Sequence, residues 1–110
     1  MITIENLRKC KPDKPYDFYI DRRSPVGNPF VLKDETGRDD ACDFYEEYFN
    51  RMLRFDNIEF NNYLNIMLKT LEVYGKLRLF CWCSPKRCHG ETIRKYLNSK
   101  FDGPLFVENI

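Results

Sequence analysis

Two cysteines, two cations and the chain's only histidine fall within Cys83-Ser-Pro-Lys-Arg-Cys-His89-Gly90. Three chemistries fit these residue types. The first is zinc: Cys81, Cys83, Cys88 and His89 supply the four soft or borderline ligands of a structural site. Spacing works against it. Residues i and i+2 of an extended strand stand about 6.6–7 Å apart, whereas sulfurs on one zinc stand roughly 3.8 Å apart for bonds of about 2.3 Å. Cys81 and Cys83 share a metal only if the chain bends sharply at Trp82, so no metal ligand is assigned.

The second chemistry is anion binding. Ser84, the backbone N–H groups from Lys86 to Gly90 and the start of a following helix offer donors. Lys86 and Arg87 add charge, Gly90 permits close approach, and Trp82 offers a stacking face. The third is catalysis. A thiolate at Cys88 or Cys83, beside a helix start and His89 as base, would be nucleophilic. Alternatively, His89 and Glu91 act as general acid and base. Cys81 sits on the same strand face as Leu79 and is expected to be core. Cys10 and Cys42 have no visible partners and are read as structural.

A second polar stretch, Arg22-Arg-Ser-Pro-Val-Gly-Asn-Pro-Phe30, carries comparable potential. Arg22 and Arg23 suit phosphate. Ser24 and Asn28 suit a sugar or base, or simply close turns. Gly27 suits a close approach of backbone to ligand.

Elements must bring these stretches together. Ile2-Thr-Ile4 alternates briefly like a strand, and Tyr16–Ile20 is aromatic and β-branched. The segment 33–38 breaks the chain ahead of a helix expected to start with Asp39 or Asp40 as N-cap. In that helix Ala41, Phe44, Tyr45, Tyr48, Phe49 and Met52 recur at helical spacing. Asp56-Asn57 starts a second helix, with Phe60, Tyr63, Leu64, Met67, Leu68 and Leu71 on one stripe and Gly75 as its stop. Leu77–Trp82 is apolar on both faces, as a central strand is. A helix over Glu91–Asn98, a turn at Asp102-Gly103-Pro104 and a last strand at Leu105–Val107 complete the expectation.

Strands separated by a helical crossover pair in parallel. The fold expected is a small single α/β domain over 1–110, with a mostly parallel sheet of three to four strands flanked by helices. The two polar stretches follow parallel neighbours. They therefore open at the same carboxyl edge, where α/β sheets place their ligands, and become one candidate site.

At 110 residues, 43% apolar and 15% aromatic, the chain suits one packed domain. A balance of 18 basic against 17 acidic side chains leaves no global footprint for nucleic acid or anionic membrane. No apolar run approaches the ~18–20 residues of a membrane span. The five cysteines are odd in number and unevenly spaced, which points to reduced thiols in the cytoplasm, or the host cytoplasm if the source is viral. The aromatic content leaves a homodimer open.

The segments Tyr19-Ile20-Asp21-Arg22, Gly27-Asn28-Pro29-Phe30, Gly75-Lys76, Cys81-Trp82-Cys83, Pro85 and Cys88-His89-Gly90 together resemble the pattern of the DUF4326 family of small bacterial and viral proteins. The resemblance spans roughly Tyr16 to Leu97. Asp21 stands where the family commonly has Gly, and Val26 where an aromatic is frequent. The resemblance implies a small α/β domain with both loops in one site, and it supplies no reaction. The function expected is binding, with hydrolysis as a candidate activity, of a nucleotide or nucleotide-derived small molecule. The cofactor is unknown, no membrane is involved, and nucleic acid is not the favoured partner. The alternative is a noncatalytic zinc-stabilised module that binds a protein or nucleic acid.

Overall fold

The computed structural model describes residues 1–30 and 35–108, with Glu35 and residues 102–108 as backbone only. Its centre is a three-stranded parallel sheet of β1 (Ile2–Asn6), β2 (Asp17–Tyr19) and β3 (Leu77–Cys81), in the order β1-β3-β2. Ile4 and Phe18 both pair with Leu79. The same face carries Ile2, Leu77 and Cys81, and these join the main core. Alternation puts Thr3, Asp17 and Arg78 on the other face, where Arg78 grips Asp17 through Nε at 2.8 Å and Nη2 at 2.7 Å. Phe80 is buried on that face, with the Arg78 guanidinium 5.1 Å from its ring centroid. The central position inferred from an apolar run on both faces holds.

The connections supply the helical layer: α1 (Arg38–Arg54), α2 (Ile58–Tyr74) and α3 (Gly90–Glu108). α2 buries Phe60, Leu64, Met67 and Leu71, the stripe read from their spacing. Its ends are set locally. The Asn57 side chain accepts from the Phe60 N–H at 3.0 Å, and Gly75 takes the left-handed conformation at φ 73° while its N–H closes on Leu71 O.

Three expectations change. Helix α1 starts at Arg38 with Gly37 as N-cap, so Asp39 and Asp40 lie in its first turn. Carboxylates there complement the exposed N–H groups without capping them. Phe44 is half exposed, its ring 5.6 Å from that of Phe30 rather than in the helix core. The last strand and the turn before it are absent: α3 continues through 102–107. Three consecutive apolar residues carry no period, so Leu105–Val107 suits a helical turn as well as a strand. The break read at 33–38 lies partly outside the described residues; its described end is a short 3-10 turn, Glu35–Gly37.

Candidate functional site

Because β2 and β3 are parallel neighbours, the chain leaves both at one edge. The ladder runs on past each strand, with the Ile20 N–H on Phe80 O at 3.0 Å. The loop after β2 then folds onto itself. Ser24 N–H and Oγ both donate to Asp21 O at 2.9 Å, and Gly27 N–H donates to Ser24 O. A Cβ on Gly27 would lie 2.5 Å from Asp21 O and 2.7 Å from Arg22 Cα, so only glycine fits this close passage. Asn28 Oδ1 accepts the Phe30 N–H, an Asx turn, and Asn28 O accepts Arg22 Nε. Tyr45 of α1 donates its buried hydroxyl to Val26 O at 2.7 Å and anchors the loop to the helix layer.

The loop after β3 is fixed from the other side of the sheet edge. Ser84 Oγ donates to Ile4 O, Asn6 Nδ2 donates to Ser84 O at 2.7 Å, and Lys86 N–H closes on Cys83 O. Two bonds then tie the loops together. Trp82 Nε1 donates to Asp21 Oδ2 at 3.1 Å, and His89 Nε2 donates to Ile20 O. Between the loops and the start of α1 lies a cavity of about 510 Å³, within the ordinary range of small-molecule sites.

Of the residues singled out from sequence, Arg22, Arg23, Asn28, Trp82, Cys83, Arg87, Cys88 and His89 line this cavity. Ser24, Gly27, Ser84, Lys86 and Gly90 do not; the first three are engaged in closing their own loops. A Cβ on Gly90 would lie 2.9 Å from Ile20 Cδ1 and 3.3 Å from Cys88 Sγ, so Gly90 meets the core. The first N–H groups of α3 are also taken: Gly90 N–H by Cys88 Sγ, Glu91 N–H by Cys88 O and Thr92 N–H by His89 O. Glu91 is exposed and borders a neighbouring cavity between α1 and α3.

The wall also holds Asp21, Phe30, Arg38, Ala41 and Cys42, none of them singled out as a site residue from sequence, and Cys81, which was read as core. Arg38 and Cys42 are four apart on α1 and share a face, but only the placement of that helix beside the sheet edge reveals them. Cys81 is indeed core, at 1% exposure, yet it also borders the cavity.

Four arginines and one aspartate line the space, an anion-attracting excess. Their availability differs. Arg23 pairs with Asp21 at 3.0 Å and stacks 4.0 Å over Tyr19. Arg87 is held by Asp39 and Asp43 at 2.9 and 2.8 Å, and Arg38 Nη1 donates to Arg87 O. Arg22 spends only Nε, on Asn28 O, and its terminal nitrogens have no partner among the described residues.

Burial holds the His89 imidazole below its usual range, against the opposing pull of the Ile20 carbonyl, so the ring is neutral at pH 7. With Nε2 protonated toward Ile20, Nδ1 keeps its lone pair as a proton acceptor.

The sulfurs of Cys81 and Cys88 lie 3.5 Å apart. The hydrogen bond shared with Cys88 draws the Cys81 thiol down to about 6, against the opposing effect of burial, with help from the backbone of Cys83 and Ser84. The same contact and burial push the Cys88 thiol up. The contact of Cys88 is therefore a second thiol rather than His89. All five cysteines are free, and no three His, Cys, Asp or Glu side chains among the described residues are arranged to hold a metal.

The family model described as a domain of unknown function, DUF4326, matches residues 5–99, which contain both loops and all three strands apart from the first residues of β1. The chain belongs to the DUF4326 family. Similarity extends to a phage protein, the "Uncharacterized 12.4 kDa protein in nrdA-td intergenic region" of Enterobacteria phage T4, 31% identical over 104 residues, covering 94% of this chain and 86% of that one. No solved structure matches. The match of this DUF4326 domain takes in every residue lining the cavity, from Asp21 to His89. Among its described residues, no helix is long and apolar enough to cross a membrane.

Proposed function

We propose that this DUF4326 domain binds an anionic, nucleotide-derived small molecule in the cavity between the two strand-end loops. The observation that carries the reading is the pairing, in one cavity of about 510 Å³, of the unspent Arg22 fork with the half-exposed Trp82 indole. A guanidinium with free terminal nitrogens takes a phosphate in bidentate fashion, and an indole face stacks on a base. Asn28 and Arg87 supply further polar wall. Hydrolysis is the activity this site is equipped to add, with neutral His89 accepting a proton from water through Nδ1. Five free thiols suit a reducing compartment, the cytoplasm.

The test is thermal unfolding against mono-, di- and cyclic nucleotides and ADP-ribose-type compounds. A ligand at a hundred times its Kd stabilises the native state by about 2.7 kcal/mol. The expected result is a rise in Tm for one compound class that Arg22→Ala abolishes, followed by chromatography of the mixture for turnover. No shift across the series refutes the reading. One zinc per chain, with loss of fold on chelation, would replace it with the zinc-stabilised binding module.

A further inference from the structure

The proposed ligand site makes no use of the thiol contact in its wall. Cys81 and Cys88 are the last residue of β3 and the residue just before α3, held on separate elements with their sulfurs 3.5 Å apart. Both border the cavity, at 1% and 4% exposure. Their surroundings differ. The two thiols share one S–H···S contact in which either sulfur can donate, and that contact lowers the Cys81 thiol. The Cys88 sulfur also accepts the Gly90 N–H.

We propose that Cys81 and Cys88 form a peroxide-reactive dithiol, Cys81 being the attacking sulfur and Cys88 the resolving one. The Cys81 thiolate attacks one peroxide oxygen and the O–O bond breaks, giving Cys81 sulfenic acid and hydroxide. The Cys88 sulfur then attacks the Cys81 sulfur. The S–O bond breaks, the Cys88 proton leaves with the departing oxygen as water, and the disulfide forms. Two electrons pass from the two sulfurs to the peroxide. Closing the contact to a bond of about 2.05 Å asks for roughly 1.5 Å of approach. The lowered Cys81 thiol is consistent with this division of roles.

The experiment treats the reduced full-length protein with hydrogen peroxide. Free thiols fall from five to three, the intact mass drops by two hydrogens, and mapping finds a cross-link between the two tryptic peptides parted at Lys86 and Arg87. Cys83→Ser keeps the cross-link, which assigns it to Cys81 on the shared peptide. Cys88→Ser stalls at a sulfenic acid on Cys81 that dimedone captures. Against an ordinary free thiol at pH 7, the reaction of Cys81 is faster, following its larger thiolate fraction. Wild-type mapping decides the matter even if a variant fails to fold. A cross-link to Cys83, or oxidation confined to Cys10 and Cys83 with the Cys81 and Cys88 peptides unlinked, overturns the proposal.

Discussion

Gly27 and Gly75 are both glycines that the fold requires, for different physical reasons, and alanine at each separates those reasons. At Gly27 an added Cβ meets backbone: 2.5 Å to Asp21 O, 2.7 Å to Arg22 Cα and 2.9 Å to Asp21 C. Carbon contacts are at their best near 3.5–4.0 Å, so the Asp21–Arg22 backbone must retreat by about 1 Å. Overpacking of this kind costs about 1–3 kcal/mol, equivalent to roughly 4–12 °C in Tm at about 4 °C per kcal/mol for a chain of this size. At Gly75 nothing lies within 4 Å, and the cost comes from φ +73° alone, about 1 kcal/mol for a residue with a Cβ. Urea unfolding followed by circular dichroism gives both numbers. Fluorescence of Trp82, the chain's one tryptophan and bonded to Asp21, reports the loop separately. Gly27→Ala should shift the native emission and weaken any ligand that uses Arg22, while Gly75→Ala lowers stability with emission and binding unchanged. Gly75→Asn should recover part of the loss, since asparagine tolerates the left-handed region. A Gly27→Ala protein within about 0.5 kcal/mol of wild type, with native emission, would show that the first loop does not close as tightly as the geometry states.

Two further predictions concern pH. Burial raises the Asp17 carboxyl, but the Arg78 guanidinium and the N–H groups of Asp13 and Lys14 outweigh it and hold it below 3.8. That stability is complete above pH 3.8 and is lost as pH falls through the lower folded value. Asp17→Asn should therefore cost about 1–2 kcal/mol at pH 7, and its deficit should shrink in acid; a constant deficit from pH 7 to pH 2 would show that the charge contributes nothing. For His89, burial depresses the folded value below 6.5, so stability is complete above pH 6.5 and declines below it as the unfolded chain takes up the proton. The single histidine makes this direct to read by NMR: its ring signals should titrate below pH 6.5 in the native protein, and His89→Asn should flatten the decline. A native midpoint at or above 6.5 would place the imidazole in water rather than against Tyr45, whose ring centroid lies 4.9 Å from it.

The elements that the sequence revealed were those with a period or a punctuating residue. The α2 stripe, the Asn57 cap and the Gly75 stop are local signals, and each holds. The apolar run at 77–82 placed β3 centrally because only a strand covered on both faces can spend so many apolar side chains. From that placement came the shared edge, and from the edge the joining of two loops 60 residues apart. What failed had no period to read. Leu105–Val107 is too short to tell a strand from a turn of helix, and Asp39 and Asp40 satisfy the rules for a first turn as well as for a cap. Arg38 and Cys42 were invisible as wall residues because nothing local distinguishes a helix start that faces a cavity from one that faces water.

The polar residues of the two loops divide by a criterion that composition does not contain: what each donor and acceptor is already bonded to. Ser24 and Ser84 are good phosphate ligands by type, but their hydroxyls already donate to Asp21 O and Ile4 O, and a phosphate must break those bonds to use them. The helix start after His89 is a good anion site by type, but Cys88 has already capped it. Arg23 and Arg87 carry charge, but carboxylates hold their guanidinium groups. Arg22 differs in a physical way that can be counted, since its terminal nitrogens have no partner among the described residues. Binding a phosphate there breaks no bond in the loop, whereas binding one at Arg23 or Arg87 must first displace a carboxylate. The ranking this imposes is strict: Arg22→Ala should weaken an anionic ligand more than Arg23→Ala or Arg87→Ala. The reverse order would mean that ligand binding rearranges the ion pairs, and that the cavity as it stands is not the binding form.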